Sequence, residues 1–123
     1  MEKRLCGLRG ATTVDADSPD LIADATRELL SELIRLNGLE PDDVISAIFT
    51  VTPDLTSEFP ARAARGIGWD DTSLLCTVEI PVPGALSRCI RVLIHANSAR
   101  ERTALRHAYL RAARSLRPDI VTD

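Results

Sequence analysis

The sequence predicts one mixed α/β (α+β) domain, and three observations carry that expectation. Apolar, β-branched runs and helical repeats follow one another in the order strand, helix, strand, helix, strand, strand. The length of 123 residues suits a single hydrophobic core and is too short for two. A composition of 45% hydrophobic and 27% charged residues is that of an ordinary globular chain.

The elements follow in order. "KRLCGLRGATTV" reads as a strand, with β-branched residues at its end and two glycines, Gly7 and Gly10, that allow close backbone approach. Ser18 is an N-cap, Pro19 takes the first helical position and Asp20 lies in the first turn. Leu21, Ile22, Ala25, Leu29, Leu30, Leu33 and Ile34 then keep helical spacing until Gly38 stops the helix. "PDD" starts a short helical turn that becomes a strand over Val44 to Val51. Pro60 opens a second helix through "ARAARGIG", which Gly66 and Gly68 end. "SLLCTVEI" is an apolar strand ending on Glu79, "PVPG" is a turn, and "RCIRVLIHAN" is the next strand. For residues 103–116, local propensity predicts helix, with Leu105, Ala108, Tyr109, Ala112 and Leu116 at helical spacing.

Composition also excludes. A formal charge of -3 and an aromatic content of 3% argue against nucleic-acid binding, which needs a basic surface and stacking platforms. The opening "MEKRLCGLRG" lacks the apolar run of a signal peptide, and no later segment reaches membrane-spanning length. A cytoplasmic protein with no membrane partner is therefore expected. Cys6, Cys76 and Cys89 lack C-x-x-C spacing, so the expectation is buried reduced thiols rather than disulfides or a metal site.

Three charged residues interrupt the strands. Arg9 stands between Gly7 and Gly10, Arg91 sits amid an apolar run, and Glu79 closes a strand before a proline turn. Uncompensated burial of a charge costs several kcal/mol, so each needs a partner, a ligand or a wet face. Together they form either a structural ion-pair cluster or a pocket for an anionic, hydroxylated ligand. His95 and His107 read as structural or exposed.

"LRGATTV", "TPDL" with "FPARAAR", "GW", "C-x-x-E", "CIRVL", "RHAYL" and "LRPD" occur in the order and spacing of the monofunctional AroH-class chorismate mutases. The resemblance runs from about Leu8 to Asp119. It implies a mixed sheet with flanking helices, three copies forming a pseudo-α/β-barrel trimer, and active sites at the subunit interfaces. It also implies that the "RHAYL" segment is a strand running towards "LRPD", against the local helical propensity.

The activity implied is the pericyclic rearrangement of chorismate to prephenate in phenylalanine and tyrosine biosynthesis, with no metal and no cofactor. Carried over by motif, Arg91 would face the breaking ether oxygen, while Arg9 and Tyr109 would bind a carboxylate. Glu79 would take the ring hydroxyl, as would the Cys76 region through its thiol or backbone. Phe59, Ala61, Arg62 and Arg65 would come from a neighbouring copy. Leu74 and Leu75 would line the substrate, and Leu116 and Arg117 would close the mouth. Two other readings stay open at this point. One is a trimeric deaminase acting on enamines and imines. The other is a catalytically silent trimer that binds a metabolite.

Overall fold

The computed structural model describes residues 2–119. The first strand, β1, spans Arg4–Thr13 and leads into the long helix α1, Pro19–Asn37. Ser18 caps α1 by accepting a hydrogen bond from the Leu21 amide. At the other end Gly38 adopts φ 60°, the left-handed conformation that a glycine takes at least cost. A short 3-10 turn at Pro41–Asp43 precedes strand β2, Val44–Val51. Helix α2, Ala61–Gly66, and strands β3, Ser73–Val78, and β4, Cys89–Ser98, follow.

Beyond β4 the chain departs from both expectations. Strand β5 is only Ala108–Tyr109, and it is followed by a 3-10 helix over Arg111–Leu116. The predicted helix over 103–116 does not form because Ala108 and Tyr109 pair with Gly10 and Ala11, and the Leu110 amide bonds to the Ala11 carbonyl. Covering the edge of β1 outweighs local propensity here. The strand implied by resemblance ends at Tyr109, and Arg111 at φ 54° turns the chain into the 3-10 helix.

The sheet order is β3-β2-β4-β1-β5, with β4 antiparallel to both β1 and β2 and the outer pairs parallel. One face is covered. Leu29, Leu30 and Leu33 of α1 are fully buried against Leu8, Phe49, Val92 and Ile94 of the sheet. Gly10 makes that contact possible, since a Cβ there would meet Leu33 Cδ1 at 2.8 Å and Leu29 Cδ1 at 3.0 Å. Gly7 is under no such constraint, its nearest contact being an ordinary 3.7 Å. On the other face the 3-10 helix packs Ala113 and Leu116 over Ala11, Cys89 and Tyr109, and the charged strand residues lie on the part left open.

Candidate active site

Strand pairing builds a row across the open face. Thr77 pairs with Thr50, Thr50 with Arg91, Arg91 with Ala11, and Ala11 with Tyr109. Paired residues share a face, and neighbouring strands lie about 4.8 Å apart, so the Arg91 and Tyr109 backbones are separated by about 10 Å. Arg9 stands two residues along β1 from Ala11, on the same face and opposite Leu93. Between these groups lies a cleft of about 360 Å³ lined by Arg9, Glu79, Arg91, Tyr109, Leu116 and Arg117. All six are candidates from the sequence.

Glu79 follows the last residue of β3, and its amide donates to the Val51 carbonyl at 2.9 Å. That bond continues the strand alternation and turns the carboxylate onto the cleft face, where Oε2 accepts from the Thr50 hydroxyl. Arg91 Nε lies 3.4 Å from the same oxygen. The arginine side chain remains 46% exposed and the glutamate 25%. The pair is thus a half-open ion pair that orients the guanidinium, rather than a sealed structural bridge.

Cys89, two residues before Arg91 on the same face, is fully buried. Burial pushes its thiol pKa up, while the Arg91 guanidinium pulls the other way. Cys6 and Cys76 are only half-buried, so the expectation of buried thiols is met by Cys89 alone.

Across the cleft, Tyr109 is buried in a small cluster with Ala11, Cys89 and Ala113. The 3-10 helix carries Leu116 onto this cluster and brings Arg117 to the rim. Arg117 makes a two-pronged ion pair with Asp119, Nε to Oδ1 at 3.0 Å and Nη2 to Oδ2 at 2.8 Å. The pairing holds the Asp119 carboxyl below its ordinary range.

Other candidates gather elsewhere. Residues three apart in an extended strand point to opposite faces, so Cys76 cannot share the face of Glu79. Cys76 and Leu74 instead turn towards the helical layer, packing against the buried core, whereas Leu75 pairs with Ile48 on the cleft face and is exposed. Within one copy the Cys76 thiol and the Glu79 carboxylate therefore lie on opposite faces of the sheet. Cys76 borders a second hollow of about 280 Å³ with Phe59, Pro60, Thr56 and Val78. Phe59 is 70% exposed there.

Arg62 and Arg65 are exposed on α2, with Arg62 Nη1 bonded to Glu58 at 2.5 Å. The Ala61 side chain is buried in the core, leaving its backbone as the group it can offer. Asp17 holds the loop ahead of Phe59 by accepting four hydrogen bonds from the amides and hydroxyls of Thr56 and Ser57. The Ser57 hydroxyl contributes most to keeping the Asp17 carboxyl below its ordinary range.

Sequence reasoning missed Thr50, which seats the Glu79 carboxylate, and the apolar floor of Ile48 and Leu93. It also left out the contact between the Arg9 amide and His107 Nδ1, 3.0 Å. The period-two alternation of β2 could have flagged Ser46, Ile48 and Thr50 as one face. Which strand faces which was not readable locally.

Comparison with known proteins agrees with this fold. Residues 5–120 match the family described as chorismate mutase type I. The chain is 50% identical over 115 residues to the chorismate mutase AroH of Thermus thermophilus, spanning 93% of this chain and 94% of the relative. It is 39% identical over 115 residues to the chorismate mutase AroH of Bacillus subtilis (strain 168), spanning 93% and 91%. The fold matches a chorismate mutase from Clostridium thermocellum with a TM-score of 0.88 at 49% identity, covering 89% of this chain and 98% of that one. Similarity that extends from the first strand to the tail around Arg117, in both sequence and fold, means that this chain belongs to the type I chorismate mutase family.

Proposed function

We propose that this chain, a chorismate mutase by family, rearranges chorismate to prephenate in the cleft between Arg9, Arg91 and Tyr109. A neighbouring copy in a homotrimer closes the cleft with its Phe59–Cys76 hollow. One observation supports the reading: two arginines on adjacent antiparallel strands converge with Glu79 on the sheet face opposite α1, in the part that the 3-10 helix leaves open.

The substrate is a dicarboxylate with a ring hydroxyl. Its ether C–O bond breaks as a C–C bond forms within the same molecule, and negative charge builds on the ether oxygen. No proton need be taken up or released, so the protein's task is to fold the enolpyruvyl arm over the ring and stabilise that charge. Arg91, steadied through Nε by Glu79, aims its guanidinium at the ether oxygen. Glu79 receives the ring hydroxyl. Arg9 and the Tyr109 hydroxyl hold the enolpyruvyl carboxylate. Arg117, with Arg62 and Arg65 of the neighbouring copy, attracts the dianion, an effect that weakens with salt.

Alternation along β3 supports the shared site. Glu79 and Cys76 face opposite ways, so a substrate touching both needs two copies. Leu75, Val78, Ile80 and Val82 expose apolar side chains along and beyond the edge strand β3, a surface suited to an interface. Closure by a second copy would also dry the half-open Arg91–Glu79 pair and strengthen its field.

A cytoplasmic enzyme is consistent with three free cysteines. Among the described residues no helix is long and apolar enough to cross a membrane.

The test is loss of chorismate absorbance and formation of prephenate by the purified protein, with its mass followed by light scattering. The expected species is three copies of 13.4 kDa. A well-folded trimer without turnover overturns the activity, and a fully active monomer overturns the shared site.

A further inference from the structure

The geometry points to His107 as a positioning residue for substrate capture: its Nδ1 accepts the Arg9 backbone N–H and fixes where the Arg9 guanidinium enters the cleft. The inference rests on the reading of that cleft as the chorismate site.

Within β1, backbone groups alternate between the two neighbouring strands. The Ala11 carbonyl points to the β5 side, where it accepts from the Leu110 amide. Arg9, two residues away, points its amide the same way, but the pairing of β1 with β5 begins only at Gly10 and Ala108. The His107 ring fills the place that a strand carbonyl would have taken, at 3.0 Å. The ring is itself placed from the preceding residue. Buried Asn37 at the end of α1 donates to the Arg106 carbonyl at 2.8 Å and accepts from the Arg106 amide at 2.8 Å. Helix, imidazole and arginine are thus joined in one line of hydrogen bonds.

An acceptor at Nδ1 must be unprotonated. Half-burial depresses the His107 pKa from its ordinary value of 6.5, and the Arg9 and Arg117 guanidiniums add to the depression. His107 and Arg9 also line a separate hollow of about 910 Å³, whose other charged or titratable groups are Arg4 and Cys6 of β1, His95 of β4, and Arg100, Glu101 and Arg102 after it. Arg4 is paired with Glu101, and Arg117 with Asp119. The sign follows. Because the folded state favours the neutral ring, the hydrogen bond is fully present above the ordinary histidine pKa. It is lost as pH falls through the depressed value, when an N–H would face an N–H.

The test measures kcat and KM for chorismate against pH in three proteins. His107→Asn sets an Oδ1 acceptor near the Nδ1 position without a titrating ring, and His107→Leu removes the acceptor. The leucine variant is expected to raise KM about tenfold with little change in kcat, the scale of one lost hydrogen bond. The asparagine variant should keep KM within about threefold of the parent and lose the histidine's share of the acid-side fall in kcat/KM. A leucine variant with parental KM, or an asparagine variant whose acid limb is unchanged, overturns the assignment. Should the leucine variant unfold, the pH profile of the asparagine variant alone decides. A parent protein that does not turn over chorismate would refute the activity itself, a separate outcome seen before any variant is made.

Discussion

The cleft and the Phe59–Cys76 hollow are built from different material. Arg91 and Arg9 stand on β4 and β1, interior strands paired on both sides, and each is fixed by ladder bonds or by a neighbouring side chain. Phe59 and Cys76 belong to a loop and the edge strand β3, and the Phe59 backbone is held locally, its amide donating to Glu58 Oε1 at 2.9 Å and its carbonyl accepting from the Arg62 amide. The difference teaches a division of labour. Groups that must hold charge in one geometry sit on the most constrained backbone. Groups that exclude water sit on an apolar rim that favours contact with another copy.

That contrast can be broken most severely at Arg91. Arg91→Ala should lower kcat by about a hundredfold to a thousandfold or more, the scale of removing one oxyanion donor, in a steady-state chorismate assay. Arg91→Lys should recover little, because an ammonium cannot reproduce the planar fork. Near-native turnover by the lysine variant would show that charge alone suffices and that the rigid geometry is unimportant.

Glu79→Ala comes next. A hydrogen bond to a charged group contributes about 1.5–3 kcal/mol, so turnover should fall by about tenfold to a hundredfold while circular dichroism stays native. A drop in melting temperature without a rate change would recast Glu79 as a structural counter-ion to Arg91.

Mixing variants sharpens the comparison further. Arg91→Ala damages only the cleft and Phe59→Asp only the hollow, so each alone should be poorly active. Co-refolded in equal amounts, they should regain about a quarter of parental activity, since random assembly pairs an intact cleft with an intact hollow that often in a cyclic trimer. No recovery from mixed trimers would mean that both regions serve their own copy.

Cys76→Ala should matter least, changing kcat/KM by about threefold or less, because it removes only a half-buried thiol that faces away from the charged cleft. A hundredfold loss would place the thiol itself in the chemistry.

The sequence was most legible where structure is local. Both caps of α1 and the bounds of β2 follow from Ser18, Gly38 and the Val44–Val51 run, since the signals lie within a turn or a strand of the element they define. Arg9, Arg91 and Glu79 stood out because charge in an apolar strand is conspicuous. The segment after β4 was misread because its shape is dictated by residues far away in the chain. Gly10, Ala11 and Thr13 of β1 set β5 and the 3-10 helix, the last through the Ala112 amide bonding to Thr13 Oγ1 at 3.3 Å. Cys76 is a different case. The face its side chain takes was readable from strand alternation against Glu79.

The position of β1 in the sheet has a consequence for how the chain becomes an enzyme. It is synthesised well before its partners β4 and β5, which begin at Cys89 and Ala108. The pairing cannot be completed until the chain has emerged as far as Tyr109, and contacts so distant in sequence form slowly. Meanwhile β1 is a nascent strand with both edges bare, the condition that invites pairing with the wrong chain. Arg4 and Arg9, with Gly7 and Gly10 between and beside them, interrupt its apolar run with charge and weaken its extended propensity. The guanidinium proposed to grip a carboxylate is thus also placed to act as a gatekeeper, discouraging wrong pairing of the newborn strand until its own neighbours arrive.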